Sequence, residues 1–276
     1  IGLIFMSIGL LFKVGAVPFH NWTPDVYQGA PTPITGFMAA VTKVAAFGAM
    51  LRIFYAGFEA DAWHWQPIIG AIAVITMIFG AFAAIGQRDI KRILAFSSIA
   101  HAGYLLTAVV ALNQGALAAS LFYFMVYGLA TLGAFAIVTL VRDSAGEVTD
   151  VNRWAGLGKK SPLVAIIFTL FLLSFAGIPL TAGFVGKLSL FTAAYATGHT
   201  YLVIAGVLSS AIAVFFYIRI ALILFFTDSK SDSVSVVIPS FLTQIAIAIS
   251  AIATLIFGIA PSLLLNTAVS FAQFLR

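Results

Sequence analysis

The sequence predicts an all-α polytopic membrane helix bundle, and three observations carry that expectation. Of its 276 residues, 62% are hydrophobic and only 8% are charged. Mean hydropathy is +1.11. The apolar runs are continuous over about 20 residues or more, the length a helix needs to cross a bilayer. A soluble domain carries roughly 25% charged residues, so a soluble globular domain is excluded, and so is a disordered chain. The net charge of +5 is scattered along the chain. It forms no basic stripe, which excludes nucleic acid as a partner. An outer-membrane barrel is excluded because strands of about ten residues with alternating polarity are missing. The chain has 26 Phe and 23 Gly, which suits helices packed in lipid. Cys is absent. Disulfides, thiolate metal sites and Cys-ligated iron–sulfur clusters are therefore not expected in this chain.

About eight spans follow from the apolar runs. They are residues 1–18, 33–57, 66–86, 92–112, 117–141, 162–196, 201–227 and 237–258. We read 1–258 as a single transmembrane domain and 259–276 as an apolar tail, either a half-span or an interfacial helix. The chain opens at Ile1 inside an apolar run, with no Met, basic n-region or cleavage site, and reads as a fragment lacking its N-terminal part.

The polar connectors alternate between two faces. One face collects Arg88, Lys91, Arg92, Arg142, Arg153, Lys159, Lys160 and Lys230. The other has Glu59, Asp61 and His64, with only Arg52 and Arg276 as cations. The positive-inside rule makes the first face cytoplasmic. Trp63 and Trp65 are expected in an interfacial aromatic belt. Gly156-Leu157-Gly158-Lys159-Lys160-Ser161 only faintly resembles a P-loop. It lacks the four-residue spacing and the Ser or Thr directly after Lys, so no nucleotide site is expected.

A few ionisable residues remain inside apolar segments: Lys13, Lys43, His101, Lys187 and Arg219. A lysine at the bilayer centre costs roughly 2.5–3.5 kcal/mol on insertion scales. Arg219 can reach the interface by snorkelling. Lys43 cannot, because it lies about ten residues from either end of its span. A desolvated lysine can accept and release a proton, and a nearby charge that moves can switch it. Lys13, Lys43, His101 and Lys187 are therefore the candidate proton carriers. The spans hold no Asp or Glu as counter-ion, which places the expected acid in a preceding segment.

Two spans are interrupted. In the first, Pro18 removes a backbone donor; Thr23 as N-cap, Pro24 and Asp25 then favour a short new helix. In the sixth, Gly177 and Pro179 split an apolar segment too long for one crossing. Each break has a membrane lysine nearby, Lys13 before Pro18 and Lys187 after Pro179. The first and sixth spans run in opposite directions. Paired broken helices of inverted topology mark ion-coupled transporters.

Three stretches carry a resemblance. They are Phe12-Lys13-Val14-Gly15-Ala16-Val17-Pro18-Phe19-His20-Asn21-Trp22-Thr23-Pro24-Asp25, Asp89-Ile90-Lys91-Arg92-Ile93-Leu94-Ala95-Phe96-Ser97-Ser98-Ile99-Ala100-His101, and Gly177-Ile178-Pro179-Leu180-Thr181-Ala182-Gly183-Phe184-Val185-Gly186-Lys187. They resemble the antiporter-like membrane subunits of respiratory complex I, and the likeness covers nearly the whole chain. Lys43 sets the chain apart from members that carry His on that helix. The resemblance implies an antiporter-like fold with inverted repeats, of which this chain is the C-terminal part of a fourteen-span subunit. It implies a proton-translocating role in NADH:quinone oxidoreductase. Lys13 and Lys43 would serve one half-channel, His101 the connection, and Lys187 the exit, with Pro18, Gly177 and Pro179 opening the helices to water. It also implies other membrane subunits as partners in a bacterial cell inner membrane. FMN, iron–sulfur clusters and quinone would be held by those partners, with no cofactor in this chain. Rival readings are a subunit of a Na⁺/H⁺ antiporter or of a membrane-bound hydrogenase, and a structural subunit that conducts nothing. A haem cytochrome would need paired His ligands within spans, and only His101 lies well inside one.

Overall fold

The computed structural model describes residues 2–228, 234–237 and 240–273. Lys230 and Arg276, both assigned a face from sequence, lie outside the described residues, as does Ile1.

The chain forms a helical bundle. Helix α1 (Gly2–Val14) is followed by the short α2 (Trp22–Gly29). Next come α3 (Thr32–Phe37), a π-helical stretch at Met38–Thr42, α4 (Lys43–Arg52) and a second π-helical stretch at Ile53–Gly57. Together these make one continuous helix, Thr32–Gly57. Three long helices follow: α5 (Ala62–Ile85), α6 (Ile90–Ala111) and α7 (Gln114–Leu140). The second half contains α8 (Leu157–Lys160), α9 (Pro162–Ala176), α10 (Ala182–Ala196), α11 (Thr200–Phe226), α12 (Phe241–Ile259) and α13 (Ser262–Ala272). Six helices are long and apolar enough to cross a membrane. The stretch read as a span at 1–18 holds the single short helix α1, and the one at 162–196 holds α9 and α10, separated at the Gly177–Pro179 interruption.

Local signals start several of these helices. Asp89 caps α6 by accepting from the Arg92 amide at 3.0 Å, and Asn113 caps α7 by accepting from Ala116 at 2.7 Å. Helix α6 is central, since every residue in it except Arg92 is buried. Its partner α5 approaches closely: a Cβ on Gly80 would stand 2.6 Å from the Ala100 amide nitrogen, as suits small-residue contacts between membrane helices. Outer helices keep apolar side chains exposed, such as Phe5 on α1 and Leu242 on α12. In a bilayer such side chains meet lipid at no hydrophobic cost. The tail helix α13 seats Ala268 against Phe122 and Val126 of α7 and Ala182 of α10.

The only sheet among the described residues lies on the basic face. Strand β1 (Val141–Asp143) pairs antiparallel with β2 (Gly146–Glu147) and β3 (Ser235–Val236). The Asp89 turn joins the 142–162 stretch: Ile90 donates to the Thr149 carbonyl at 2.7 Å and Val151 to the Arg88 carbonyl at 2.9 Å. Lys159 reaches Asp228 at 2.8 Å. The connectors grouped by charge thus pack together. The Arg153 guanidinium, 2.7 Å from Asp143, holds that carboxyl below the usual range, and Lys159 does the same for Asp228.

Three local expectations are corrected. Thr23 is not an N-cap; it sits inside α2, whose preceding residue Asn21 is already helical, and its buried hydroxyl packs against Gly15. Trp63 is exposed but Trp65 is buried, packed on Phe54 and donating to the Phe58 carbonyl at 2.9 Å. Lys91 is not a solvated loop cation: it is buried and donates to the Ala30 carbonyl at 2.6 Å. Arg219 reaches from α11 to the basic connector, where it caps the end of α5 by donating to the carbonyls of Ile85 at 2.7 Å and Gln87 at 2.9 Å. Helix C-termini leave carbonyls unpaired, and a cation there is doubly favoured.

Candidate functional site

Both helix breaks have the same local chemistry. Helix α1 ends at Gly15, with φ +74°, and α9 ends at Gly177, with φ +82°. These left-handed angles suit glycine. At each break the next amide reaches back five residues: Ala16 donates to the Leu11 carbonyl at 2.9 Å and Ile178 to the Leu173 carbonyl at 3.0 Å. Backbone groups freed by the breaks are taken up by neighbouring hydroxyls, because lipid offers no partner. The Val17 amide donates to Thr76 Oγ1 at 3.1 Å, and the Gly183 amide to Ser174 Oγ at 3.1 Å. Pro18 and Pro179 sit in these breaks and are themselves exposed. The two broken helices start at opposite faces. The first residues of α1 share a groove with Phe58, Asp61 and His64, whereas α9 starts just after Lys159 and Lys160 of the basic face.

Lys187 on α10 is 4% exposed. Its amine donates to the carbonyls of Phe175 at 2.8 Å and Ala176 at 3.1 Å, the last two residues of α9. It also donates to Ser210 Oγ at 3.2 Å and lies 4.6 Å from the centroid of the Tyr104 ring. Three acceptors thus meet the three N–H bonds of an ammonium group. The carbonyls are those a helix end leaves unpaired. Gly177 makes room: a Cβ there would stand 3.0 Å from Lys187 Cδ.

Lys43 is 3% exposed and donates to the Ser98 carbonyl on α6. It follows directly on the π-helical stretch Met38–Thr42, a widening of the helix that is frequent at functional sites. His101 stands on α6, buried, with Nδ1 hydrogen-bonded to the Tyr123 hydroxyl at 2.5 Å. Its ring stacks on Tyr127 at 4.5 Å and meets the edge of Tyr104 at 5.3 Å. The Tyr104 ring lies between His101, at 5.3 Å, and the Lys187 amine, at 4.6 Å, and Lys43 bonds α6 at Ser98, three residues before His101. Lys43, His101 and Lys187 therefore belong to one buried polar cluster. Lys13 does not join it: it is exposed on α1 and has no hydrogen-bond or ion-pair partner among the described residues.

The sequence reading missed the hydroxyls that connect these groups. Tyr104, Tyr123, Tyr127 and Tyr217 are buried around His101 and Lys187. Ser97 is hydrogen-bonded to Tyr217, and Ser98 neighbours the hydroxyls of Tyr27 and Tyr127. Two signals pointed to them. Tyr123 and Tyr127 are four apart on one helix face. Ser209-Ser210 is a polar pair in the middle of an apolar helix. Among the described residues, no group of three or more His, Cys, Asp or Glu is placed to hold a metal.

This fold and site define a polytopic helical membrane protein built on two broken helices of opposite direction, with lysines and a histidine in its core. The chain belongs to the NADH:quinone oxidoreductase/Mrp antiporter transmembrane family, which matches residues 1–213. It is similar to the NADH-quinone oxidoreductase subunit N of Rhodococcus opacus (strain B4), 56% identical over 276 residues, covering 100% of this chain and 51% of the relative. A chain of respiratory complex I from Thermus thermophilus with bound aureothin superposes with TM-score 0.81 at 34% identity, covering 94% of this chain and 56% of that one. The Mrp complex from Dietzia sp. DQ12-45-1b gives TM-score 0.83 at 25% identity, over 96% and 57%. The chain spans about half the length of the curated relatives it matches.

Proposed function

We propose that this chain carries part of the proton path of a membrane subunit of NADH:quinone oxidoreductase, of the subunit N type. The single observation that carries the reading is the buried cluster in which His101 lies among tyrosines, with Lys187 across the Tyr104 ring and Lys43 bonded to the same helix at Ser98. Intramembrane ionisable groups are expensive, and in a bundle core they mark ion pathways and proton relays.

In this reading Lys43 and Lys187 each take and release a proton, and His101 connects them. Lys13 feeds the same half as Lys43, and Lys187 leads to the exit. The breaks at Pro18, Gly177 and Pro179 give water access to the helix interior. The protein works in a bacterial inner membrane beside other membrane subunits of the complex. Partner subunits hold FMN and the iron–sulfur clusters and reduce quinone, and the charge shift they cause drives the lysines.

The test is proton pumping by membrane vesicles containing the assembled complex, native against Lys187→Met. Methionine fills a similar volume without a titratable group. Pumping is expected to fall about tenfold or more, a barrier change of roughly 1.4 kcal/mol or more. Assembly and NADH oxidation by the dehydrogenase arm should persist. Native pumping and quinone reduction in Lys187→Met would refute the reading.

A further inference from the structure

We infer that Tyr104 and Ser210 are positioning residues for Lys187, holding its amine at the end of α9 with an acceptor whose direction is fixed. The inference rests on the reading of Lys187 as a proton carrier.

The direction follows from counting protons. A hydroxyl has one proton to donate. Ser209 on α11 donates to the Met77 carbonyl of α5 at 2.8 Å, so its proton is committed. At the 3.0 Å contact between Ser209 and Tyr104 the tyrosine must therefore be the donor. That commits the Tyr104 proton. At the 3.2 Å contact between Tyr104 and Ser210, Ser210 must then donate. Ser210 Oγ has only lone pairs left to offer, and it lies 3.2 Å from Lys187 Nζ. The chain runs one way, from the amine to a backbone carbonyl. It ends on a group that takes up no proton, so it orients Lys187 and does not conduct.

The arrangement also spans three helices. Tyr104 belongs to α6, Ser209 and Ser210 to α11, and Met77 to α5. Ser209 and Tyr104 are fully buried, so no water competes for the bonds between them and to Met77. The Tyr104 ring adds a second restraint by facing the amine at 4.6 Å. With Phe175 and Ala176, Ser210 completes three acceptors for one ammonium. Without Ser210 the amine keeps only the two carbonyls of α9 and loses the acceptor that fixes its third N–H.

Two variants separate the contributions, each assayed in the assembled complex in membrane vesicles. Tyr104→Phe keeps the ring and removes the hydroxyl. Ser210→Ala removes the acceptor. Ser210→Ala is expected to lower pumping about tenfold, as for loss of a hydrogen bond to a charged group, and Tyr104→Phe about threefold, as for loss of a neutral one, with assembly and NADH oxidation by the dehydrogenase arm unchanged. Ser210→Thr, which retains the hydroxyl, is expected to pump at the native level. Adding Ser210→Ala to Lys187→Met should cause no further loss of pumping.

The outcomes distinguish the two claims. If Lys187→Met pumps normally, the functional reading falls, and the inference with it. If Lys187→Met is impaired while Tyr104→Phe and Ser210→Ala pump normally, only the positioning role is overturned. Failure of Ser210→Thr to restore pumping in a complex that assembles also overturns it. So does an added loss from Ser210→Ala in the Lys187→Met background. Tyr104→Phe is nearly isosteric and keeps the test open should Ser210→Ala fail to assemble.

Discussion

Gly177→Ala should damage the site through Lys187, and a matched control isolates that effect. Gly177 and Gly198 both have φ +82°, and each ends a helix, α9 and α10 respectively. An alanine in the left-handed region costs roughly 1–2 kcal/mol at either position. Around Gly198 an added Cβ meets nothing within 4 Å. At Gly177 it would stand 3.0 Å from Lys187 Cδ and 3.4 Å from Nζ. The lysine must shift by a few tenths of an ångström, which strains its bonds to Phe175 and Ala176 at 2.8 and 3.1 Å. Losing one hydrogen bond from a charged donor adds about 1.5–3 kcal/mol. Gly177→Ala should therefore cost about 2.5–5 kcal/mol in total, against about 1–2 for Gly198→Ala. Thermal unfolding of the purified complex orders the two variants. Pumping in vesicles reads the site, with about tenfold loss expected for Gly177→Ala and native pumping for Gly198→Ala. Equal thermal loss and equal pumping in the two variants would refute the argument that Gly177 exists to admit the lysine.

Two further expectations concern the basic face. Arg219→Met strips two cationic hydrogen bonds from the carbonyls of Ile85 and Gln87. It should lower stability by about 2–4 kcal/mol, partly restored in Arg219→Lys, as measured by thermal unfolding; a midpoint equal to native would show that these carbonyls find other donors at no cost. The Asp143 carboxyl is held below its usual range by Arg153. Its contribution to the 142–155 stretch is therefore complete above the ordinary carboxylate value of about 3.9 and is lost as pH falls through the lowered folded value. Pepsin added to inverted vesicles should begin cutting this stretch at a lower pH in native protein than in Asp143→Asn. The same onset in both would remove Asp143 from the account.

Composition and apolar run length were enough to determine the membrane class and most of the helices, because lipid leaves the backbone few alternatives to a helix. The two breaks were also legible. Pro18, and Gly177 with Pro179, are local chemistry that interrupts a helix regardless of its neighbours. The lysines stood out because a charge in an apolar run is costly anywhere along a helix. What the sequence did not reveal was which charges meet. Lys13 and Lys187 look alike as text, yet one lies exposed on α1 and the other is enclosed by α6, α9 and α11. Trp65 and Lys91 were assigned to interface or solvent by position alone; tertiary packing gave each a carbonyl partner. The tyrosines around His101 passed as ordinary aromatic residues, since a phenol becomes a site component only through the group its hydroxyl reaches. Local sequence thus decides where the chain is helical and where it breaks, because those are short-range costs. Only the packing of α5, α6, α10 and α11 decides that Ser210 points lone pairs at Lys187. That orientation is fixed by bonds between residues such as Met77 and Ser209, 132 positions apart in the chain.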